Sequence, residues 1–395
     1  MTHLRQLFLS HVAQTSPMPL ALDIVKGEGI YLFSRKGKAY IDLISGIGVS
    51  SLGHNHPKVV KAVKEQADQY LHAMVYGEYV LAPQVQLAKA ITDALPRSLD
   101  SVYFVNSGSE AVEGAMKLAK KYTGRYEIIA AKNAYHGSTQ GAASLMNPNI
   151  FNAGYHPLLP GINHIDYGQV SDLEQITTKT ACVIIEPVQG EGGVIVPTKS
   201  YLKALKKRCR EVGALLVFDE IQTGYGRTGH FFAFQGFGVT PDILLTAKGM
   251  GGGMPIGAFI ASKKVMKVLA QNPILGHITT FGGHPVSAAA GLATIKTLLS
   301  GKLLEKVEEK AALFRKLLVH PEIVEIRGKG LMMAVEMKSS EKMFAVVEKC
   351  IEKGVITDWF LFDEKSFRIA PPLIITKGEI RRVCKIILEC MDSVF

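Results

Sequence analysis

The chain has no apolar run approaching the roughly 20 residues needed to cross a bilayer, so a membrane-spanning role is not expected. Met1 to Leu20 lacks the apolar core and small-residue cleavage site of a signal peptide, and a cytoplasmic location is expected. Cysteine is scarce. The five (Cys182, Cys209, Cys350, Cys384, Cys390) are odd in number, scattered and without a CxxC pair, which argues against a disulfide framework and against a zinc site. The histidines of Gly53-His54-Asn55-His56-Pro57 lack a third ligand at a useful spacing, so they read as a turn and no metal is expected. No basic run carries interleaved aromatics. The net charge of +10, from 45 basic and 35 acidic residues, therefore reads as a basic surface that draws anionic substrates, with no nucleic acid as partner. Internal repeats, low-complexity tracts and the GxxxxGK[ST] order of a phosphate-binding P-loop are all missing.

What is present is an ordinary globular composition, 47% hydrophobic and 20% charged, over 395 residues, too many for one compact domain of usual size. Short apolar runs read as buried strands: Val102 to Val105, Ile128 to Ala131, Cys182 to Ile185, Leu215 to Phe218 and Ile243 to Leu245. Helical periodicity lies between them, as in Glu110 to Tyr122 and Tyr201 to Glu211. Strands that are apolar throughout and alternate with helices predict an α/β class with a mostly parallel sheet covered on both faces. The expected organisation is a large α/β domain over 58–285 and a smaller α+β domain built from 1–57 and 286–395. Within the latter, Gly29 to Asp42 predicts a hairpin turning at Arg35-Lys36-Gly37. Ala288 to Leu318 predicts one long helical stretch, and Lys377 to Val394 a helical tail.

Chemistry-bearing residues stand at the carboxyl end of each expected core strand, where open α/β sheets bind their ligands. In chain order they are Asn106-Ser107-Gly108-Ser109-Glu110, Tyr135-His136-Gly137, Glu186-Pro187, Asp219-Glu220-Ile221-Gln222, and Lys248 followed by Gly249-Met250-Gly251-Gly252-Gly253. Ser107-Gly108-Ser109 fits a phosphate cradle, with glycine admitting the anion to the backbone at a helix start, although a plain N-cap at Ser109 is the simpler reading of the motif alone. Asp219 closes an apolar run, so its carboxylate needs a partner. A protonated pyridine nitrogen is one, worth roughly 4 kcal/mol at about 4 Å and an effective dielectric of about 20, and a helix cap or salt bridge is the other. Lys248, at a strand end before four glycines in five residues, is placed for a lowered pKa and imine formation.

This ordered set resembles the class III (subgroup II, ω-type) aminotransferases of fold type I that depend on pyridoxal 5'-phosphate (PLP), nearest the acetylornithine and ornithine aminotransferases. Further landmarks are Gly53-His54-Asn55-His56-Pro57, Val188-Gln189-Gly190-Glu191-Gly192-Gly193 and Thr279-Thr280-Phe281-Gly282-Gly283-His284-Pro285. The resemblance implies that Lys248 holds PLP as a Schiff base and then moves the proton, that Asp219 pairs with the pyridine nitrogen, and that Gln222 bonds the phenolic oxygen. It implies Tyr135 stacked on the ring, His136 and Glu186 beside the cofactor, and Ser107, Gly108 and Ser109 on the phosphate. Thr280 would join them from a partner subunit, making a homodimer obligatory. Arg368 resembles the arginine that grips the α-carboxylate of glutamate or 2-oxoglutarate, a surface ion pair being its plainer reading, and Glu191 resembles the carboxylate that masks it.

Two positions depart from the acetylornithine and ornithine enzymes. Ser138 stands where they carry an arginine for the donor's distal α-carboxylate, a contact whose loss costs about 2–5 kcal/mol. Ile47 stands at a substrate-contacting position where ornithine enzymes have tyrosine. The implied reaction is ping-pong amino transfer from an ω-amino acid or amine to 2-oxoglutarate, with an acetylornithine- or ornithine-like donor as the less supported choice. The competing readings are other PLP chemistry on the same fold (decarboxylation, racemisation or aminomutase reactions) and a non-catalytic or nucleotide-binding α/β protein.

Overall fold

The computed structural model describes residues 2–147 and 149–395. Near the N-terminus β1 (Ile24–Glu28), β2 (Tyr31–Ser34) and β3 (Ala39–Asp42) pair antiparallel in sequence order. The expected hairpin is β2–β3, turning at Gly37, whose φ of 80° suits glycine. β1 has no burial alternation to mark it, because nearly every residue in it is exposed.

The central sheet contains β4 (Ser101–Val105), β5 (Glu127–Ala131), β6 (Ile162–Ile165), β7 (Thr180–Ile185), β8 (Leu215–Asp219), β9 (Ile243–Thr246) and β10 (Gly257–Ala261), in the order β4-β10-β9-β8-β7-β5-β6. The pairs from β9 through β6 are parallel, and β10 runs antiparallel to both β4 and β9. The sheet is thus the mostly parallel one expected, with one reversed strand. Two smaller sheets use the C-terminal strands: β11 (Ile323–Lys329), β12 (Met332–Met337) and β14 (Ser366–Ile369) pair antiparallel, and β13 (Val355–Ile356) adds to β3 in parallel.

Continuous apolar strands divide their side chains between two cores by the period of two. Ile128, Cys182, Ile184, Leu215, Val217, Ile243 and Leu245 face one cluster, which the helix Gly108–Thr123 covers with Ala111, Val112, Ala115 and Met116. Ile129, Val183, Ile185, Leu216, Phe218 and Leu244 face the other, which also takes in Ile30, Phe314, Phe367, Val383 and Met391. At about 1.5–3 kcal/mol per large buried side chain, these two faces fix the sheet and its strand ends.

Helix ends follow local chemistry. The Ser107 hydroxyl accepts from the Glu110 N–H at 3.2 Å, so the cap lies two residues before Ser109, and Gly124 ends the helix at φ 69°. The stretch expected as one helix over Ala288 to Leu318 is two, Pro285–Ser300 and Val307–Leu317, because Gly301 leaves the helix in an extended conformation. The tail is the helix Lys377–Asp392, opened by a capping box between Thr376 and Glu379. No described helix is long and apolar enough to cross a membrane.

Candidate active site

All five strand-end groups meet in one cleft of about 400 Å³. Its wall includes Ser107, Gly108, Ser109, Tyr135, His136, Glu186, Glu191, Asp219, Gln222 and Lys248. That volume lies in the range of small-molecule and cofactor sites.

At the floor, Asp219 terminates β8 with 4% of its surface exposed. Its Oδ2 is 2.7 Å from His136 Nδ1, and its Oδ1 accepts from the Ile221 N–H at 3.0 Å. A carboxylate only accepts, so His136 Nδ1 carries the proton. Burial works against the imidazolium, but Asp219 and then Glu186 hold the His136 pKa above its usual value. Glu186 is pushed up to about 8, chiefly by burial, with His136 opposing. Its Oε1 accepts from the Gly190 N–H at 2.9 Å, while its Oε2 is buried without a partner among the described residues.

Lys248 follows β9 and is half-buried, with φ at 42°. A lysine held in the left-handed region costs about 1 kcal/mol or more, and such strain gathers at functional sites. Its amine forms no hydrogen bond or ion pair among the described residues. Burial first, and Arg368 second, lower its pKa, with Glu191, Asp219 and Glu186 pulling the other way. Opposite stands the start of the helix Gly108–Thr123, whose first N–H groups have no intrahelical acceptor. Gly137 lies against it at φ 130°, where a Cβ would come within 2.2 Å of Ser109 Oγ.

Glu191 joins the cleft wall to an ion-pair cluster, in which Arg368 is itself outside the wall and is reached through Glu191. Arg368, on β14, donates from Nη2 to both oxygens of Glu191 at 2.9 Å, and Gln222 Nε2 donates to Glu191 Oε1 at 3.2 Å. Glu191 and Arg368 are 7% and 4% exposed, so the surface reading of this arginine is set aside. Burial alone would raise the Glu191 pKa, yet Arg368 and Lys248 bring it below the ordinary value. Arg368 Nε also donates to Asp358 Oδ1 at 2.9 Å.

Some positions lie elsewhere. Thr280 is exposed and outside the cleft wall, its carbonyl accepting from His72 Nε2 at 2.9 Å. Ile47, at φ 62°, is half-buried and also outside the wall, where Val49 stands instead. Ser138 is exposed, and its hydroxyl is 3.0 Å from the Tyr135 hydroxyl. His54 is taken by Asp42, Nε2 to Oδ2 at 2.8 Å. Sequence reasoning missed Asp358, the lining residues Met254, Pro255 and Ile256, and the bond from the Asn106 N–H to Glu110 Oε2 at 2.8 Å. A carboxylate beside a buried arginine was the available signal for Asp358, and it is readable only once Arg368 is known to be buried.

Comparison with known proteins follows the same lines. The family model described as aminotransferase class-III matches residues 12–391. Acetylornithine aminotransferase of Methanopyrus kandleri is 41% identical over 377 residues, 94% of each chain. Putrescine aminotransferase of Pectobacterium atrosepticum is 42% identical over 378 residues, 90% of this chain and 79% of that one. Among solved structures, the ornithine aminotransferase from Toxoplasma gondii superposes with a TM-score of 0.92 at 32% identity, covering 99% of this chain and 94% of that one. A transaminase from the marine bacterium Virgibacillus gives 0.94 at 28% identity, over 99% and 98%. A match from residue 12 to residue 391, on a fold shared almost end to end, makes the chain a member of the class-III aminotransferases, enzymes that work with pyridoxal phosphate.

Proposed function

We propose that the chain moves an amino group from a donor with a terminal amine, an ω-amino acid or a diamine, to 2-oxoglutarate, in two half-reactions that share one site. The observation that carries this reading is the buried Glu191–Arg368 pair, whose glutamate lines the cleft. An arginine fork suits the carboxylate of glutamate or 2-oxoglutarate. A neighbouring carboxylate can cover it when the substrate in place has none to offer.

The residues fit the cofactor. Lys248 presents an amine without a partner among the described residues, and Gln222 Oε1 and Glu186 Oε2 are buried oxygens left unmatched by them. Gly190 lies so close that a Cβ would come within 2.1 Å of Gln222 Oε1, which leaves the glutamine in place against the cleft. Pyridoxal phosphate, when bound, supplies an aldehyde that condenses with amines and a cationic ring that withdraws electrons from the amine-bearing carbon. Lys248 would hold it through Nζ and, once released, take and return the proton at that carbon. Asp219 would pair with the ring nitrogen, and His136 orients that carboxylate through its hydrogen bond. Gln222 would meet the phenolic oxygen and Tyr135 the ring, with Ser107, Gly108 and Ser109 on the phosphate. Thr280, exposed in a single copy, would complete the phosphate site of a second copy, making a homodimer the working unit, expected in the cytoplasm.

Donor choice rests on Ser138, which provides no charge for a distal α-carboxylate. The test is direct. Incubation with glutamate alone releases one equivalent of 2-oxoglutarate per active site, and none is released if other PLP chemistry operates. A screen of ornithine, acetylornithine, lysine, GABA, putrescine and β-alanine against 2-oxoglutarate then ranks donors. Acetylornithine ahead by a wide margin would refute the weight placed on Ser138.

A further inference from the structure

Arg368 lies between two carboxylates that are attached to it in different ways. Glu191 sits in the loop after β7 and reaches Nη2 with its side chain. Asp358 follows β13 and takes Nε at 2.9 Å, and its own carbonyl accepts from the Arg368 N–H at 2.7 Å. One residue earlier, the Thr357 hydroxyl donates to the Arg368 carbonyl at 2.6 Å. The guanidinium carbon stands 4.4 Å from the centre of the Phe360 ring, on the same segment. Main chain and side chain thus bind Asp358 to Arg368 together, while Glu191 is joined to it by side-chain contact alone.

The difference decides which carboxylate can exchange. An incoming carboxylate displaces Glu191 by rotating a side chain away from Nη2, Gln222 Nε2 and the Leu361 N–H, while the backbone bond from the Phe362 N–H to the Glu191 carbonyl stays in place. Displacing Asp358 would also require breaking the backbone bond between its segment and β14. A guanidinium with one edge fixed can aim the other, since its donors lie in one plane. A buried cation stripped of every partner is costly, and Asp358 prevents that state while Glu191 moves.

We propose that Asp358 is the fixed arm of this gate, a positioning residue that aims Arg368 Nη2 at the place Glu191 now holds on the cleft wall and keeps the guanidinium paired while Glu191 and a substrate carboxylate change places. The inference rests on the reading of Arg368 as the carboxylate grip. It does not depend on which amine donor is used.

The holoenzyme variants Asp358→Asn and Asp358→Glu separate position from charge. Asparagine keeps an acceptor at the same distance from Nε and loses the charge, and glutamate keeps the charge and shifts the acceptor by a methylene. Each half-reaction is measured alone, 2-oxoglutarate in one and putrescine in the other. In Asp358→Glu the KM for 2-oxoglutarate rises about tenfold, the worth of one charge-assisted hydrogen bond. In Asp358→Asn the rise is smaller, and in both variants the putrescine half-reaction moves far less than the 2-oxoglutarate one. Equal losses in the two half-reactions would mean a structural role and overturn the proposal, as would an unchanged KM for 2-oxoglutarate in Asp358→Glu. Arg368→Ala serves as the control. If it too leaves that KM unchanged, the grip reading itself fails; if it raises the KM while Asp358→Glu does not, only the role of Asp358 fails.

Discussion

Replacing Glu191 by glutamine keeps the size of the side chain and removes its charge. In the native pair both carboxylate oxygens accept from Arg368 Nη2 at 2.9 Å, with both residues more than nine-tenths buried. A hydrogen bond to a charged group contributes about 1.5–3 kcal/mol and a neutral one about 0.5–1.5, so the substitution weakens the closed gate by roughly 1–1.5 kcal/mol. Since 1.4 kcal/mol is a factor of ten, the KM for 2-oxoglutarate should fall about tenfold. The donor half-reaction should move the opposite way, kcat/KM for putrescine dropping about tenfold, because Arg368 then faces a carboxylate-free substrate with only Asp358 to balance it. Asp358 also holds the loss of stability below the 3–5 kcal/mol typical of stripping one partner from a buried pair. Single-turnover kinetics on each half-reaction, followed at the cofactor's absorbance, reads both effects. Parallel changes in the two half-reactions, or no change with 2-oxoglutarate, would refute the gate.

Lys248→Ala should abolish the lysine-linked chromophore and slow amino transfer at least about a hundredfold, and a variant that keeps its activity would remove Lys248 from the chemistry. Ser138→Arg should raise kcat/KM for acetylornithine relative to putrescine by about 10–100-fold, the value of a charge-assisted contact, and an unmoved ratio would show that this position does not meet the donor. Glu186 binds its proton up to about pH 8 in the folded chain, against 4.5 for the free group. Its ionisation therefore removes folded-state stability as pH rises through that window. The melting temperature of the cofactor-free protein should fall between pH 6 and pH 8 for this reason, and Glu186→Gln should shrink the fall; an identical profile in the variant would contradict the buried-carboxyl account.

The strands that carry the site were legible because burial on both faces makes them apolar without interruption, so a polar residue at the end of each stands out. Asp219 after Leu215-Leu216-Val217-Phe218 and Glu186 after Cys182-Val183-Ile184-Ile185 are of this kind. Two strands of the central sheet escaped notice: β6 is a half-exposed edge, and β10, though apolar and buried throughout, stands close behind the glycine segment and ends on the apolar Ala261. Ser107 rather than Ser109 caps the helix because capping is settled by which hydroxyl reaches the third N–H, a matter of backbone direction that composition does not carry. Asp358 was invisible for a related reason. Its meaning depends on β14 pairing with β12 and passing beside the segment after β13, a contact made between distant parts of the chain.

The larger apolar cluster runs unbroken from Ile30 through Phe218 to Phe367 and Met391. Phe218 precedes Asp219 on β8, and Phe367 precedes Arg368 on β14, so the carboxylate in the cleft and the arginine that Glu191 links to it are braced by the same close-packed hydrocarbon. If Arg368 grips the acceptor, as proposed, this bracing fixes how far the grip stands from Lys248, and so works as a ruler for the length of a dicarboxylate. Residues outside that bracing, such as the exposed Ser138, can drift and admit a different amine while that ruler keeps its length. A chain built this way can change donors without losing the acceptor that regenerates it.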